Sequence, residues 1–381
     1  MKKNMHPGSA SPETFSLSRK TLPKNIFANR RILVTGHTGF KGSWLALWLR
    51  ILGAEVIGLA LPPNTEPSHF ELIRLETLID HRLGDIRDWD TVREVFNIVQ
   101  PEIVFHLAAQ SLVRESYKDP KTNFDTNVGG TVNILEAIRH SSSVKAAVVI
   151  TSDKCYENNE WIWGYRENDP MGGFDPYSAS KGAVEIISQA YLRSYFKEGG
   201  QGPQVGLATA RTGNVIGGGD WAKDRIIPDC VRALSKGKPI VVRNPQATRP
   251  WQHVLDPLAG YLLLAQRLWE DPIRYSGPWN FGPLDHQQVK VLELAEKFVV
   301  AWGRGKIEKP RKSNSISHES GLLRLCIDQA VEKLKWTPIL AGREAIDWTV
   351  DWYKAWERKK IDLQDLSIKQ VNRFMKKQEK V

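Results

Sequence analysis

Three cysteines in 381 residues, Cys155, Cys230 and Cys326, are too few and too scattered for a disulfide framework or a zinc knuckle. Reduced thiols in a cytoplasmic protein are the expectation. The nine histidines form no H-E-x-x-H and no close Cys/His cluster, so no catalytic metal is expected. No run approaches the ~20 apolar residues that cross a bilayer. The N-terminus is polar, rich in Ser, Thr, Pro and Lys, and lacks the apolar stretch of a signal peptide. Long repeats and low-complexity tracts are missing as well. The net charge of +10 raises the question of nucleic acid, yet the excess of basic over acidic residues lies at the two ends. Residues 1–31 carry +6 and residues 354–381 carry +5, which leaves the body near −1. A basic field confined to the termini is not the footprint of a nucleic-acid groove. What remains is an ordinary soluble composition, 25% charged and 41% hydrophobic, sufficient for one large or two modest domains.

The chain does have alternation. Residues 31–35 form a short β-type run ending at glycine, and 43–52 carry apolar residues at helical spacing up to Gly53. Strand patterns recur at 55–60, 103–107, 146–151 and 205–211, and helical ones at 89–100, 123–140 and 177–196. Near-continuous apolar strands separated by helices predict an α/β fold, a doubly wound parallel sheet of the Rossmann type. After Gly213 the pattern loosens into a smaller, mixed α/β C-terminal substrate-binding region with helices near 255–269 and 291–302. The expected organisation is a flexible extension over 1–28 and a mainly dinucleotide-binding domain over 29–212. A mainly substrate-binding region over 213–360 and a tail over 361–381, mobile or marginally helical, complete it.

Gly36, Gly39 and Gly42 lie in Gly-His-Thr-Gly-Phe-Lys-Gly, directly after the first strand and at the start of a helix. In that context Gly36 permits the tight turn, Gly39 lets backbone approach a pyrophosphate, and Gly42 allows close helix–sheet packing. Thr38 and Phe40 share the turn, and the phosphates would meet the helix N-terminus. His37 in the same turn is expected to order the loop. A carboxylate about 20 residues downstream would bind ribose hydroxyls, but the run after the second strand holds neither that acid nor an Arg for a 2′-phosphate. The missing Arg favours NAD over NADP. Asp85 and Ile86 are candidates to neighbour the adenine, or else a turn Asp and a core Ile.

Tyr177 and Lys181 stand at i and i+4, on one face of a helix. An ammonium beside a phenol favours the phenolate, which can take a proton from a substrate hydroxyl while hydride leaves the same carbon. The strand at 146–151 runs into Ser152-Asp153-Lys154, delivering a hydroxyl, a carboxylate and an ammonium to the carboxyl edge of the sheet, where such folds place their chemistry.

Together with His106-Leu107-Ala108-Ala109-Gln110 and Asn127, these motifs resemble the extended short-chain dehydrogenase/reductase superfamily. Later strings, TSDKCY at 151–156, WGYRENDPMGG at 163–173, RTGNVIGGGDWAKDR at 211–225 and RPWQHV at 249–254, are similar to its CDP-glucose 4,6-dehydratase branch. The resemblance covers roughly residues 30–360. It implies NAD as a recycled cofactor, with Ala108, Ala109, Gln110 and Asn127 beside it, and CDP-glucose as substrate. Tyr177 would take the 4-hydroxyl proton as hydride leaves, with Ser152 holding the oxygen and Asp153 protonating the departing 6-hydroxyl. Where dTDP-glucose relatives carry Asp-Glu, this chain has Asp153-Lys154. Lys154 is a base at carbon 5 only if deprotonated, and otherwise a cation stabilising the enolate. The product, a 4-keto-6-deoxy sugar nucleotide, would feed deoxysugar synthesis for surface polysaccharide.

Arg225 and Arg249 suit a diphosphate. Asn214, Gln110 and Arg114 are sugar- or phosphate-contact candidates, and Trp251 or Trp221 could stack on cytosine. Gly217-Gly218-Gly219 marks a loop that comes close to substrate or moves on binding. The resemblance also implies a homo-oligomer, with helices 123–140 and 177–197 at the interface. Competing readings are a 4-epimerase or another nucleotide-sugar dehydratase of the same superfamily, and a non-catalytic NAD-binding regulator.

Overall fold

A computed structural model describes residues 26–197, 199–284, 289–308 and 322–380. Its centre is a seven-stranded sheet built from β1 (Arg31–Thr35), β2 (Glu55–Ala60), β3 (Asp80–Leu83), β4 (Ile103–His106), β5 (Ala146–Ile150), β6 (Gly206–Thr212) and β7 (Gly277–Phe281). The spatial order is β7-β6-β5-β4-β1-β2-β3 and every pairing is parallel. The order in which strands are added reverses between β1 and β4, so the crevice that opens there lies at the carboxyl edge.

Residues alternate between the two faces with the period of a strand. Ile32 and Val34 enter one core while Leu33 enters the other, and Val148 and Val149 divide the same way. Helices α1 (Phe40–Ile51) and α5 (Leu255–Glu270) cover the first face through Trp44, Trp48, Leu258 and Leu262. The second face is covered by α2 (Trp89–Val99), α3 (Gly130–His140) and α4 (Pro176–Tyr191), through Phe96, Ile134 and Val184. Two strands escape the sequence pattern. β3 is Asp-His-Arg-Leu with no buried residue, and β7 is Gly-Pro-Trp-Asn-Phe, contributed after the chain has already left the sheet. The helix expected over 123–140 is one continuous helical run from Pro120 to His140, with a wide π-type turn at Asp125–Gly129 inside it.

Both ends of the expected organisation need correction. Residues 1–25 lie outside the described part, but Phe27, placed within the flexible extension, is buried in the core. The expected tail is largely a helix. α7 (Leu363–Gln378) follows α6 (Gly342–Arg358), buries Val371 and Phe374, and sets Phe374 edge-on to Trp48 of α1 at 5.4 Å. Its many Lys residues hid an apolar stripe spaced at three and four positions. Because that stripe closes the main core, Phe374→Ala should lower unfolding free energy by about 3–5 kcal/mol in denaturant titration. A loose tail would give no change.

Candidate functional site

The turn after β1 is built by contacts that exclude side chains. Gly36 has φ +75°, and a Cβ there would stand 2.7 Å from the Ala108 nitrogen. A Cβ on Gly42 would come within 2.1 Å of the Gly36 oxygen. The first turn of α1 has no side-chain cap, so its backbone N–H groups are left for an anion. Thr38 donates to the Leu61 oxygen at 2.9 Å, tying the turn to the end of β2. His37 pairs with His81 at 2.7 Å over the bare face of Gly58, and burial pushes its pKa down to about 3. It is therefore a neutral spacer.

A cavity of about 300 Å³ opens from this turn, walled by Thr38, Phe40, Ile86, Ala108, Tyr177 and Lys181 among others. Gly36, Gly39, Gly42, Asp85 and Ala109 also lie on its wall. Asp85 accepts from both the backbone and the guanidinium of Arg87, which holds its carboxyl below the ordinary range. Gln110 and Asn127 do not line the cavity. Gln110 uses its amide on Leu112 and Asn123. Buried Asn127 joins the Gln110 backbone to Ser180 at 2.8 Å. They brace the wall from behind, because a loop leaving a strand needs its own polar groups satisfied first.

The chemistry gathers where β5 ends. Asp175 caps α4 by accepting from the Ser178 nitrogen at 2.9 Å, placing Tyr177 in the first turn with only 8% of its surface exposed. Burial pushes the Tyr177 phenol up to about 12, while a hydrogen bond to Ser152 pulls the other way. Lys181 is pushed down to about 8 by burial. Its ammonium donates to the Ile150 oxygen at 3.2 Å rather than to the phenol, since that carbonyl at the end of the strand is the acceptor within its reach. The charge of Arg225 also pulls the Tyr177 phenol down, against burial and the carboxylates of Asp153 and Asp175. Ser152 donates to Asp153 at 3.0 Å and accepts from the Lys154 nitrogen at 3.2 Å. Burial raises the Asp153 carboxyl against the pull of Lys154, and Gly213 leaves room for it where a Cβ would be 3.0 Å from Oδ2.

Lys41 is a group that the sequence reading passed over. It lines the cavity, and burial, with Lys181 and Arg225 nearby, lowers its pKa to about 7. A lysine inside a phosphate turn was the available signal. On the opposite wall stand Trp221 and Arg225, whose guanidinium meets Asp220 at 3.1 Å. Arg249, Trp251 and Asn214 lie outside this wall. Arg249 donates to the Thr248 oxygen at 3.0 Å and still acts on Asp153 through its charge. The Trp251 indole donates to the Val289 oxygen at 3.1 Å, and the Asn214 carbonyl accepts from Gln252. Arg114 reaches Asp224 at 3.2 Å. The Gly217–Gly219 loop is clamped: a Cβ on Gly218 would lie 2.1 Å from the Trp352 ring, and the Trp44 indole donates to the Gly218 oxygen at 2.9 Å. Its glycines make room for these rings, and Gly219 lines the cavity.

Residues 32–275 match the NAD dependent epimerase/dehydratase family. Over 355 residues the chain is 47% identical to a CDP-glucose 4,6-dehydratase of Salmonella typhimurium, covering 93% of this chain and 98% of that one. A UDP-glucose-4-epimerase from Stenotrophomonas maltophila, solved with NAD bound, superposes with TM-score 0.74 at 22% identity, over 87% of this chain and 100% of that one. A dTDP-glucose 4,6-dehydratase from Bacillus anthracis, in complex with NAD, gives TM-score 0.71 at 21% identity, over 88% and 99%. At that identity the solved structures show the fold alone. The lack of space at Gly42 is the feature to test. Gly42→Ala should weaken NAD⁺ binding at least about a hundredfold in titration calorimetry, a loss near 2.7 kcal/mol.

Proposed function

The chain belongs to the NAD dependent epimerase/dehydratase family, and from that membership we propose that it converts CDP-glucose to CDP-4-keto-6-deoxy-glucose and water. The full-length likeness to the Salmonella dehydratase carries the substrate assignment. The glycine cradle, with no room for a Cβ, and the uncapped start of α1 fit a dinucleotide pyrophosphate. NAD held there supplies a hydride acceptor for carbon 4 and the donor for carbon 6.

The remaining work falls to side chains of the chain itself. Tyr177 takes the 4-hydroxyl proton, and Arg225 and the buried Lys181 favour its phenolate. Ser152, bonded to Tyr177, holds the 4-oxygen. Once carbon 4 is a ketone, the carbon-5 proton is acidic. Asp153 holds a carboxyl that burial biases toward the protonated form, and it hands that proton to the leaving 6-oxygen. Lys154, the next residue, acts at carbon 5, as a base when neutral or by stabilising the enolate as a cation. Arg225 and Arg249 pair with the diphosphate. The protein works in the cytoplasm as at least a homodimer. Exposed Tyr117, Phe124 and Ile186 on the helices around 113–124 and α4 meet the second copy.

Incubation with NAD⁺ and, separately, CDP-, dTDP-, GDP- and UDP-glucose should give the alkali-induced absorbance of a 4-keto-6-deoxy sugar with CDP-glucose. A 4-epimer, or product only from another nucleotide, overturns the assignment. Lys154→Ala should still reduce NAD⁺ in a single turnover while slowing water loss by about a hundredfold. Native turnover in that variant removes Lys154 from the mechanism. Since Lys181 titrates at about 8, kcat should fall as pH rises through that value and its cation is lost.

A further inference from the structure

Behind Tyr177 and Lys181 lies a charged pair that none of these steps uses. Glu185, one turn beyond Lys181 on α4, is 1% exposed, and Arg211 in β6 is 2% exposed. Their ion pair measures 2.8 Å. Thr151 donates to one carboxylate oxygen at 2.5 Å, and Thr209 donates to the other at 2.6 Å. Arg211 also donates to the Tyr156 hydroxyl at 2.5 Å and to the Glu167 carbonyl at 2.9 Å. Tyr156 in turn donates to Asn280 of β7 at 2.8 Å.

Stability alone does not explain such a pair, because a well-packed apolar replacement is often as stable or more so. Its position does. Thr151 stands between Ile150, whose carbonyl receives the Lys181 ammonium, and Ser152, which bonds Tyr177. One carboxylate therefore grips the strand end that carries both contacts. Residues 177, 181 and 185 repeat at four-residue spacing along a single face of α4. The Glu185 charge is also the largest influence that keeps Lys181 protonated against burial.

We propose that Glu185, locked by Arg211 and Thr151, is a positioning residue for the oxidation step, holding the cation at 181 and the hydroxyl at 152 in register with Tyr177. The proposal rests on the dehydratase reading for the step it serves, though not for which nucleotide the sugar carries.

Trace acetylation of the apo protein across pH, read by peptide mass at Lys181, reports the loss of that proton without any substrate. In Glu185→Gln the midpoint should move toward acid by about one pH unit, and Glu185→Asp should restore most of it. The alkaline limb of kcat should move with it, while KM for the sugar nucleotide stays within about twofold. Should Arg211, left unpaired, prevent folding of Glu185→Gln, the double variant E185Q/R211Q removes both charges and is read in the same way. Coincident midpoints, or a lowered melting temperature with an unmoved kcat limb, overturn the proposal. The kcat profile is recorded on whichever sugar nucleotide the native enzyme turns over. A native enzyme inert on all of them sinks the dehydratase reading, and the labelling midpoint still decides Glu185.

Discussion

The Lys181 ammonium sits at the end of β5 among buried groups, donating to one backbone carbonyl at 3.2 Å. Water removed from a cation there must be replaced by fixed dipoles and countercharges, or the proton leaves. The same constraint acts on each neighbour. Burial lowers Lys41 to about 7 and Lys181 to about 8, raises Tyr177 to about 12 and lifts the Asp153 carboxyl. Two cations are thereby brought toward neutrality and two acids shifted toward their protonated forms, all at the same edge of one sheet. Small changes of charge there move protons easily, which is what an acid–base site requires.

The second half of the chain packs against this edge. Trp352 of α6 packs on Gly218, and the neighbouring Tyr353 hydroxyl donates to the Asp220 carbonyl at 2.5 Å. Ser367 of α7 accepts from the Trp352 indole at 3.0 Å and lies 3.4 Å from His69. His69 itself stacks on Trp44 of α1 at 4.5 Å. Glycine loop, terminal helices and cofactor helix thus form one packed unit. The helix at the end of the chain, expected as a mobile or marginally helical tail, connects to the cofactor helix through Ser367 and His69.

Much of this was legible before any coordinates. Period-two and near-continuous apolar runs located β1, β2, β4, β5 and β6, because those strands are buried on both faces. The glycine turn and the Tyr177/Lys181 spacing are local geometry, so sequence distance stands in for spatial distance. β3 and β7 were illegible because an edge strand needs no apolar pattern, and both lie at the two edges of the sheet. Gln110 and Asn127, expected beside the cofactor, spend their hydrogen bonds on the loop that builds the cleft. A polar side chain beside a cleft serves either the ligand or the loop that builds the cleft, and sequence distance does not tell the two apart. Glu185 and Arg211 are 26 residues apart in sequence, and no spacing rule joins them.

A carboxyl raised by burial, as that of Asp153 is, suits a proton donor to a departing oxygen, a role that dehydration needs and 4-epimerisation does not. A 4-epimerase returns hydride to the carbon it left, so no oxygen departs and no acid is needed beyond the Tyr177 proton. Burying a carboxyl without full compensation costs on the order of kilocalories per mole. Here the compensation is partial, since Ser152 and the charges of Lys154 and Arg249 pull one way and burial outweighs them. A site that needed only a hydroxyl at 152 and a phenol at 177 would gain by replacing that carboxyl with a neutral side chain. Loss of a sugar hydroxyl as water, by contrast, needs a proton donor next to the phenol that has just accepted one. Dehydration therefore calls for two acids at one sheet edge, one for each oxygen, and Tyr177 and Asp153 are both buried there.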